Sequence, residues 1–203
     1  MKNLGILISG RGSNFEAIAR NVASGKIPAR IVAVISNRTK ARGLELAREM
    51  GLNARCISSQ GRTREDFEGE LLEALESLQT DLICLAGFMR VLSPDFVKRF
   101  PNRILNIHPS LLPAFPGMDA QKQALEHGVK WTGCTVHIVN EGVDSGPIVL
   151  QAAVPVLDED TVETLSARIL EQEHRIYPEA VKLLVEDQIR IQGRRVLMKK
   201  DGN

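Results

Sequence analysis

The chain has almost no charge to spare: 26 Lys and Arg stand against 25 Asp and Glu, a formal net charge of +1. That balance argues against a nucleic-acid partner, because nucleic-acid binders carry a strongly basic face or stripe. It leaves room for a local anion site, since a loop of backbone amides needs no net charge. Long hydrophobic runs are also missing. No stretch approaches the roughly 20 apolar residues that a membrane-spanning helix requires, so no membrane partner is expected. Met1-Lys2-Asn3 reaches Gly10-Arg11 after a very short apolar run, which does not make a signal peptide. Cysteine is scarce: Cys56, Cys84 and Cys134 are odd in number and have no CxxC spacing. They read as small core residues of a reducing compartment, with no disulfide and no metal site, and a cytoplasmic protein is expected. What is present, 43% apolar and 25% charged residues in a length of 203, suits one compact soluble domain.

Residues 4–9, 30–36 and 81–86 are short runs of Ile, Val and Leu, the signature of buried parallel strands. Between them, 14–23, 41–50 and 63–78 show helical spacing, as in Phe67, Leu71, Leu75 and Leu78. This alternation predicts a Rossmann-like, doubly wound α/β fold with a mostly parallel sheet. Ser93-Pro94 reads as an N-cap followed by proline at the first helical position, opening a short helix to Arg99. Residues 103–107 follow as a fourth parallel strand. Residues 132–139 and 147–156 are joined by so short a Gly-rich link that they are expected to pair antiparallel. A long helical pattern begins at Thr161, and Pro178 is expected to kink or end it. No repeat, low-complexity tract or interdomain linker is visible, so the reading is a single domain over 1–203, with the basic residues from 189 on as a tail.

Ile8-Ser9-Gly10-Arg11-Gly12-Ser13-Asn14 lies between the first strand and the first helix, where exposed amides and a helix N-terminus can hold an anion. The third glycine of a dinucleotide fingerprint is missing, because Phe15 stands in its place. Ser36-Asn37-Arg38 ends the second strand where a ribose-binding carboxylate would be expected. No Lys-Ser/Thr pair follows, so the loop is not a P-loop either. A single phosphate monoester fits better than NAD or ATP. The plainer alternative is a tight βα turn with Ser13 or Asn14 capping the helix.

Asn106 and His108 close the fourth parallel strand and, being two apart, project together. Ligands bind at the carboxyl ends of strands in open α/β sheets. An amide donor beside a titratable imidazole suits chemistry that builds an oxyanion and moves a proton. The other histidines have plainer readings: His127 on an exposed helix, His174 in a charged stretch, His137 filling a sheet face. Asp144 sits in the loop between the two later strands. Brought beside His108 it would favour the imidazolium; left alone it would be a solvated carboxylate. In the last helical pattern Val162, Leu165, Ile169, Ile176, Ala180 and Leu183 mark an inward stripe on which Glu173 also falls. A buried carboxylate needs a partner. Either the stripe drifts at Pro178 and Glu173 is wet, or Glu173 receives a substrate hydroxyl or amine.

ISGRGSN at 8–14, LAGFMRVLSP at 85–94, NIHPSLLPAFPG at 106–117, VDSGPIV at 143–149 and QEHRIYP at 172–178 together resemble the phosphoribosylglycinamide formyltransferases of the folate-dependent formyltransferase family. The motifs run in order across nearly the whole chain. The resemblance implies transfer of a formyl group from the co-substrate 10-formyltetrahydrofolate to the amine of 5-phosphoribosylglycinamide, in de novo purine synthesis. Direct attack by the amine would give a tetrahedral intermediate, and no metal is needed. Asn106, His108 and Asp144 match the catalytic trio. Gly12, Ser13 and Asn14 match the loop holding the substrate phosphate, and Glu173 matches a contact to the glycinamide substrate. Met89, Arg90, Val91 and Leu92 match the folate-pocket segment, to which Asn106 also contributes. Asn140, Glu141, Gly142, Val143 and Asp144 match the loop closing on the pterin, and Arg64 a basic residue near the folate tail. The partners implied are small molecules, with a monomer or homodimer as the assembly. Ala114 and Met118-Asp119-Ala120 depart from the family pattern. The rivals are a formyltetrahydrofolate hydrolase, a methionyl-tRNA formyltransferase and a folate- or nucleotide-binding module without turnover. The first two would carry further segments, and the third has no use for the trio.

Overall fold

The computed structural model describes residues 1–199. In chain order the elements are β1 (Lys2–Ile8), α1 (Ser13–Ala23), β2 (Ala29–Ser36), α2 (Arg42–Glu49), β3 (Ala54–Cys56), α3 (Arg64–Ser77), β4 (Leu82–Leu85), α4 (Pro94–Arg99), β5 (Ile104–His108), α5 (Ala120–Glu126), β6 (Trp131–Ile138), β7 (Ile148–Pro155), α6 (Val162–Val185), β8 (Ile189–Gln192) and β9 (Arg195–Met198). They build one nine-stranded sheet in the order β3-β2-β1-β4-β5-β6-β7-β9-β8. From β3 to β5 every neighbouring pair is parallel, and β5–β6 and β6–β7 are antiparallel. The α/β, mostly parallel reading therefore holds, as does the antiparallel later portion.

The pleat of β1 explains the layering. Leu4, Ile6 and Ile8 enter one core, with Phe15 and Ile18 of α1 and Leu165, Ile169 and Ile176 of α6. Leu7 enters the other, with Phe67, Leu71 and Leu75 of α3 and Phe96 of α4. Alternate side chains face opposite sides of a strand, so β1 is buried on both faces. Ser93 caps α4 as expected, its hydroxyl accepting from the Phe96 amide, and Thr161 caps α6 in a reciprocal box with Thr164.

Three expectations change. β3 makes 103–107 the region of a fifth strand, not a fourth; at three residues without an apolar run it offers no periodicity to read. Pro178 neither ends nor splits α6, which continues as one helix of 24 residues. The broken hydrogen bond is outweighed by burial of Tyr177, Ala180, Val181 and Val185 beyond it, and Tyr177 is tied by its hydroxyl to the carbonyls of Leu85 (3.0 Å) and Leu105 (3.1 Å). The segment read as a tail is a β8–β9 hairpin whose Arg195 pairs with Ile148 of β7; residues 200–203 lie outside the described residues.

Chain order fixes where a ligand can sit. β1 lies between β2 and β4, so the loops after β1 and β4 diverge and leave a crevice at the carboxyl ends of the strands. Among the described residues no helix is long and apolar enough to cross a membrane.

Candidate functional site

Gly12 stands at the N-cap of α1 with φ of 83°, a left-handed conformation that favours glycine, and no side chain caps the helix. Neither Ser13 nor Asn14 is a cap, so the plainer reading of the loop fails and first-turn amides stay open to an anion. The loop leans on the start of α2. The Gly43 amide donates to the Gly10 carbonyl at 3.0 Å, and a Cβ added to Gly12 would lie 2.8 Å from the Gly43 Cα. Asn14 turns inward, its Nδ2 donating to Glu173 Oε2 at 2.7 Å, while its buried Oδ1 has no partner. Glu173 is 7% exposed. Burial pushes its carboxyl above the ordinary value, and the Asn14 hydrogen bond offsets only part of that. The inward stripe of α6 thus carries Glu173 into a cavity of about 680 Å³ that Gly12, Ser13, Asn14 and Arg38 also line.

The second cluster is built from side chains. Antiparallel pairing of β5 with β6 sets Asn106 opposite His137, and Asn106 Nδ2 lies 3.2 Å from His137 Nε2. His108 is 5% exposed and its Nε2 donates to the Phe115 carbonyl at 2.8 Å. The tight return between β6 and β7 brings Asp144 back over these rings. It has φ of 46°, and a Cβ on Gly146 would lie 1.8 Å from the Ile138 carbonyl oxygen, so only glycine lets the strands close there. Asp144 Oδ2 accepts from the Gly117 amide at 2.8 Å and lies 3.3 Å from His108 Nδ1; Oδ1 lies 3.5 Å from His137 Nε2. Burial pushes the Asp144 carboxyl up. The hydrogen bonds from His137 and Gly117 and the charges of the two rings outweigh it, leaving the carboxyl below its ordinary value. Both ring nitrogens of His108 thus face acceptors, a carbonyl on one side and a carboxylate on the other.

Asn106, His108 and Asp144 line a cavity of about 480 Å³ together with Met89, Arg90, Val91, Leu92, Asn140, Gly142 and Val143. The Arg90 guanidinium lies over the Phe67 ring, 5.2 Å from its centroid. Two residues expected here stand apart. Arg64 is the exposed first residue of α3 and lines neither cavity; Glu141 is exposed and pairs with Lys98 at 3.9 Å. The residue that sequence reasoning missed is His137. Its alternation within β6 is visible, but its neighbour Asn106 follows only from the β5–β6 register.

The two cavities adjoin. Gly87, Met89, Ile107, Pro109 and Gln121 line both. A larger open depression of about 810 Å³ lies at the opposite end of the sheet, beside Met1, Ala29 and Gln79, and holds none of these residues. Among the described residues no group of three His, Cys, Asp or Glu is arranged to hold a metal ion.

A model of the formyl transferase family matches residues 2–181. Phosphoribosylglycinamide formyltransferase of Haemophilus influenzae is 44% identical over 192 residues, covering 94% of this chain and 91% of that protein. Trifunctional purine biosynthetic protein adenosine-3 of Drosophila melanogaster is 49% identical over 188 residues; the match covers 91% of this chain, which spans 14% of that protein's length. The solved structure of glycinamide ribonucleotide transformylase 1 from Symbiobacterium toebii superposes with a TM-score of 0.96 at 55% identity, covering 98% of this chain and 95% of that one. With a family match over most of its length and a site at the carboxyl ends of its strands, the chain belongs to the formyl transferase family.

Proposed function

We propose that the chain transfers the formyl group of 10-formyltetrahydrofolate to the primary amine of 5-phosphoribosylglycinamide, the formylation step named by its relatives in purine synthesis. The observation that carries the reading is the meeting of two cavities at Gly87 and Met89, one beside open helix amides and Glu173, the other beside Asn106, His108 and Asp144. The first suits a phosphate ester whose amine end reaches the junction. The second suits a flat, largely apolar ring system held along Met89, Arg90, Val91 and Leu92, with the loop of Asn140, Gly142 and Val143 closing over it.

The amides of Gly12, Ser13 and Asn14 hold the phosphate, and Glu173 accepts from the ribonucleotide. The amine attacks the formyl carbon; a new C–N bond forms and the carbonyl becomes an oxyanion. Asn106 Nδ2 donates to that oxyanion, and the protonated His108 ring joins it by turning its Nε2–H away from the Phe115 carbonyl. As the carbon–nitrogen bond to the folate breaks, His108 supplies a proton to the departing nitrogen and takes one back from the attacking nitrogen, which had become cationic, so the ring ends as it began. Asp144 holds the ring charged and oriented. A formyl hydrolase would place only water, leaving the cavity beside Glu173 without an occupant.

The test is folate product formation by the purified protein from 10-formyltetrahydrofolate, with and without 5-phosphoribosylglycinamide. Product that depends on the ribonucleotide, with formylglycinamide ribonucleotide appearing in equal amount, is the expected result. Equal rates in water alone would overturn the reading.

A further inference from the structure

We propose that Ser9, held by Asn37, is a positioning residue that fixes the two substrate cavities relative to one another. Ser9 follows β1 and precedes the glycine loop, and it is 3% exposed. Its hydroxyl donates to Asn37 Oδ1 at 2.6 Å and accepts from the Met89 amide at 2.8 Å, while its own amide donates to the Gly87 carbonyl at 3.1 Å. Asn37, 6% exposed, completes the chain by donating from Nδ2 to Ser59 Oγ at 3.2 Å. One hydroxyl therefore ties together the loops that leave β1, β2 and β4, three adjacent strands. Ser9 lines the glycine-loop cavity and Met89 lines both.

The chemistry at position 37 fits this task. A dinucleotide-binding sheet places a carboxylate at the end of its second strand to meet a ribose. Here an amide points into the protein instead, because the link needs one acceptor for Ser9 and one donor for Ser59. A buried polar group that loses its partner bears its full desolvation cost, so removing the Ser9 hydroxyl frees the Met89 amide and strands Asn37.

The far end of the Met89 segment gives an internal contrast. Glu68, 6% exposed on α3, accepts from the Ser93 amide at 2.9 Å and from the Ser93 hydroxyl, and it lines neither cavity. It pins the folate side alone, whereas Ser9 touches both sides.

The substrate identities here rest on the function proposed above, so the test has two readouts. Hydrogen exchange on the protein without substrates is expected to speed up at the Met89 amide and at the residue 9 amide that donates to the Gly87 carbonyl in Ser9→Ala and Asn37→Ala. In steady-state kinetics well below each variant's Tm, Ser9→Ala is expected to raise KM about tenfold for both substrates with kcat within about threefold, as loss of one buried hydrogen bond allows. Glu68→Gln is expected to raise only the folate KM. Unchanged exchange at Met89 would overturn the inference whatever the enzyme does. So would a Ser9→Ala protein with a lowered Tm and both KM values within about twofold of wild type, the pattern of mere structural loss. Absence of ribonucleotide-dependent turnover in the wild type would sink the functional reading while the exchange result still decides this one.

Discussion

The cavity beside the glycine loop and the cavity beside β5 adjoin, yet they are made of different material. The first presents main chain: the open end of α1, a left-handed Gly12, and Gly43 packed behind it with no room for a Cβ. The second presents side chains in mutual contact, with Asp144 3.3 Å from His108 and 3.5 Å from His137. Amides have no pKa near neutrality and lose nothing when a side chain is trimmed, so they suit holding a phosphate that does not react. Imidazole and carboxylate change charge readily, so they suit the atoms that do react. Binding and chemistry are thus expected to respond to different substitutions.

The largest effect should fall on the side-chain region. His108→Ala is expected to lower kcat by about 10³ while both KM values stay within about threefold, since in the proposed mechanism it removes an oxyanion donor and the proton source together. Near-normal turnover at saturating substrates would break the contrast. On the main-chain side the sign reverses. Ser13→Asp sets a carboxylate among the amides and is expected to raise the ribonucleotide KM by about 10², with the folate KM unmoved.

Glu173 sharpens the comparison because it is a side chain in the main-chain region. Its carboxyl is held above the ordinary value by burial, so the ionised form costs stability in the fold. That cost is full above the raised value and vanishes below the ordinary one. Glu173→Gln is therefore expected to raise the neutral-pH Tm by a few degrees. The gain should shrink as pH falls toward the ordinary carboxylate range, while the ribonucleotide KM rises about tenfold because an acceptor has lost its charge. A Tm that drops at neutral pH would show that the carboxylate supports the fold instead.

How much of this was legible from sequence follows the same divide. The buried strands and α1, α3 and α6 announce themselves because period and composition agree over many residues. β3 and the β8–β9 hairpin do not, being three or four residues long and half exposed. Asn106 and His108 are readable as a pair because a strand repeats every two residues. Glu173 is readable because a helix repeats every 3.6. His137 and Gly43 are not: His137 acquires Asn106 and Asp144 as neighbours only through the β5–β6 register and the returning loop, and Gly43 is kept from bearing a side chain by Ile8 of β1 and the glycine loop behind it, both distant in sequence. Pro178 misleads for a related reason, since tertiary burial along α6 overrides a local breaker.

The separation of binding from chemistry is tested most directly by calorimetric titration of 5-phosphoribosylglycinamide into the His108→Ala and Ser13→Asp proteins. His108→Ala is predicted to bind within about threefold of wild type, and Ser13→Asp about 10² more weakly, a loss near 2.7 kcal/mol. Binding abolished by His108→Ala and kept by Ser13→Asp would contradict the account.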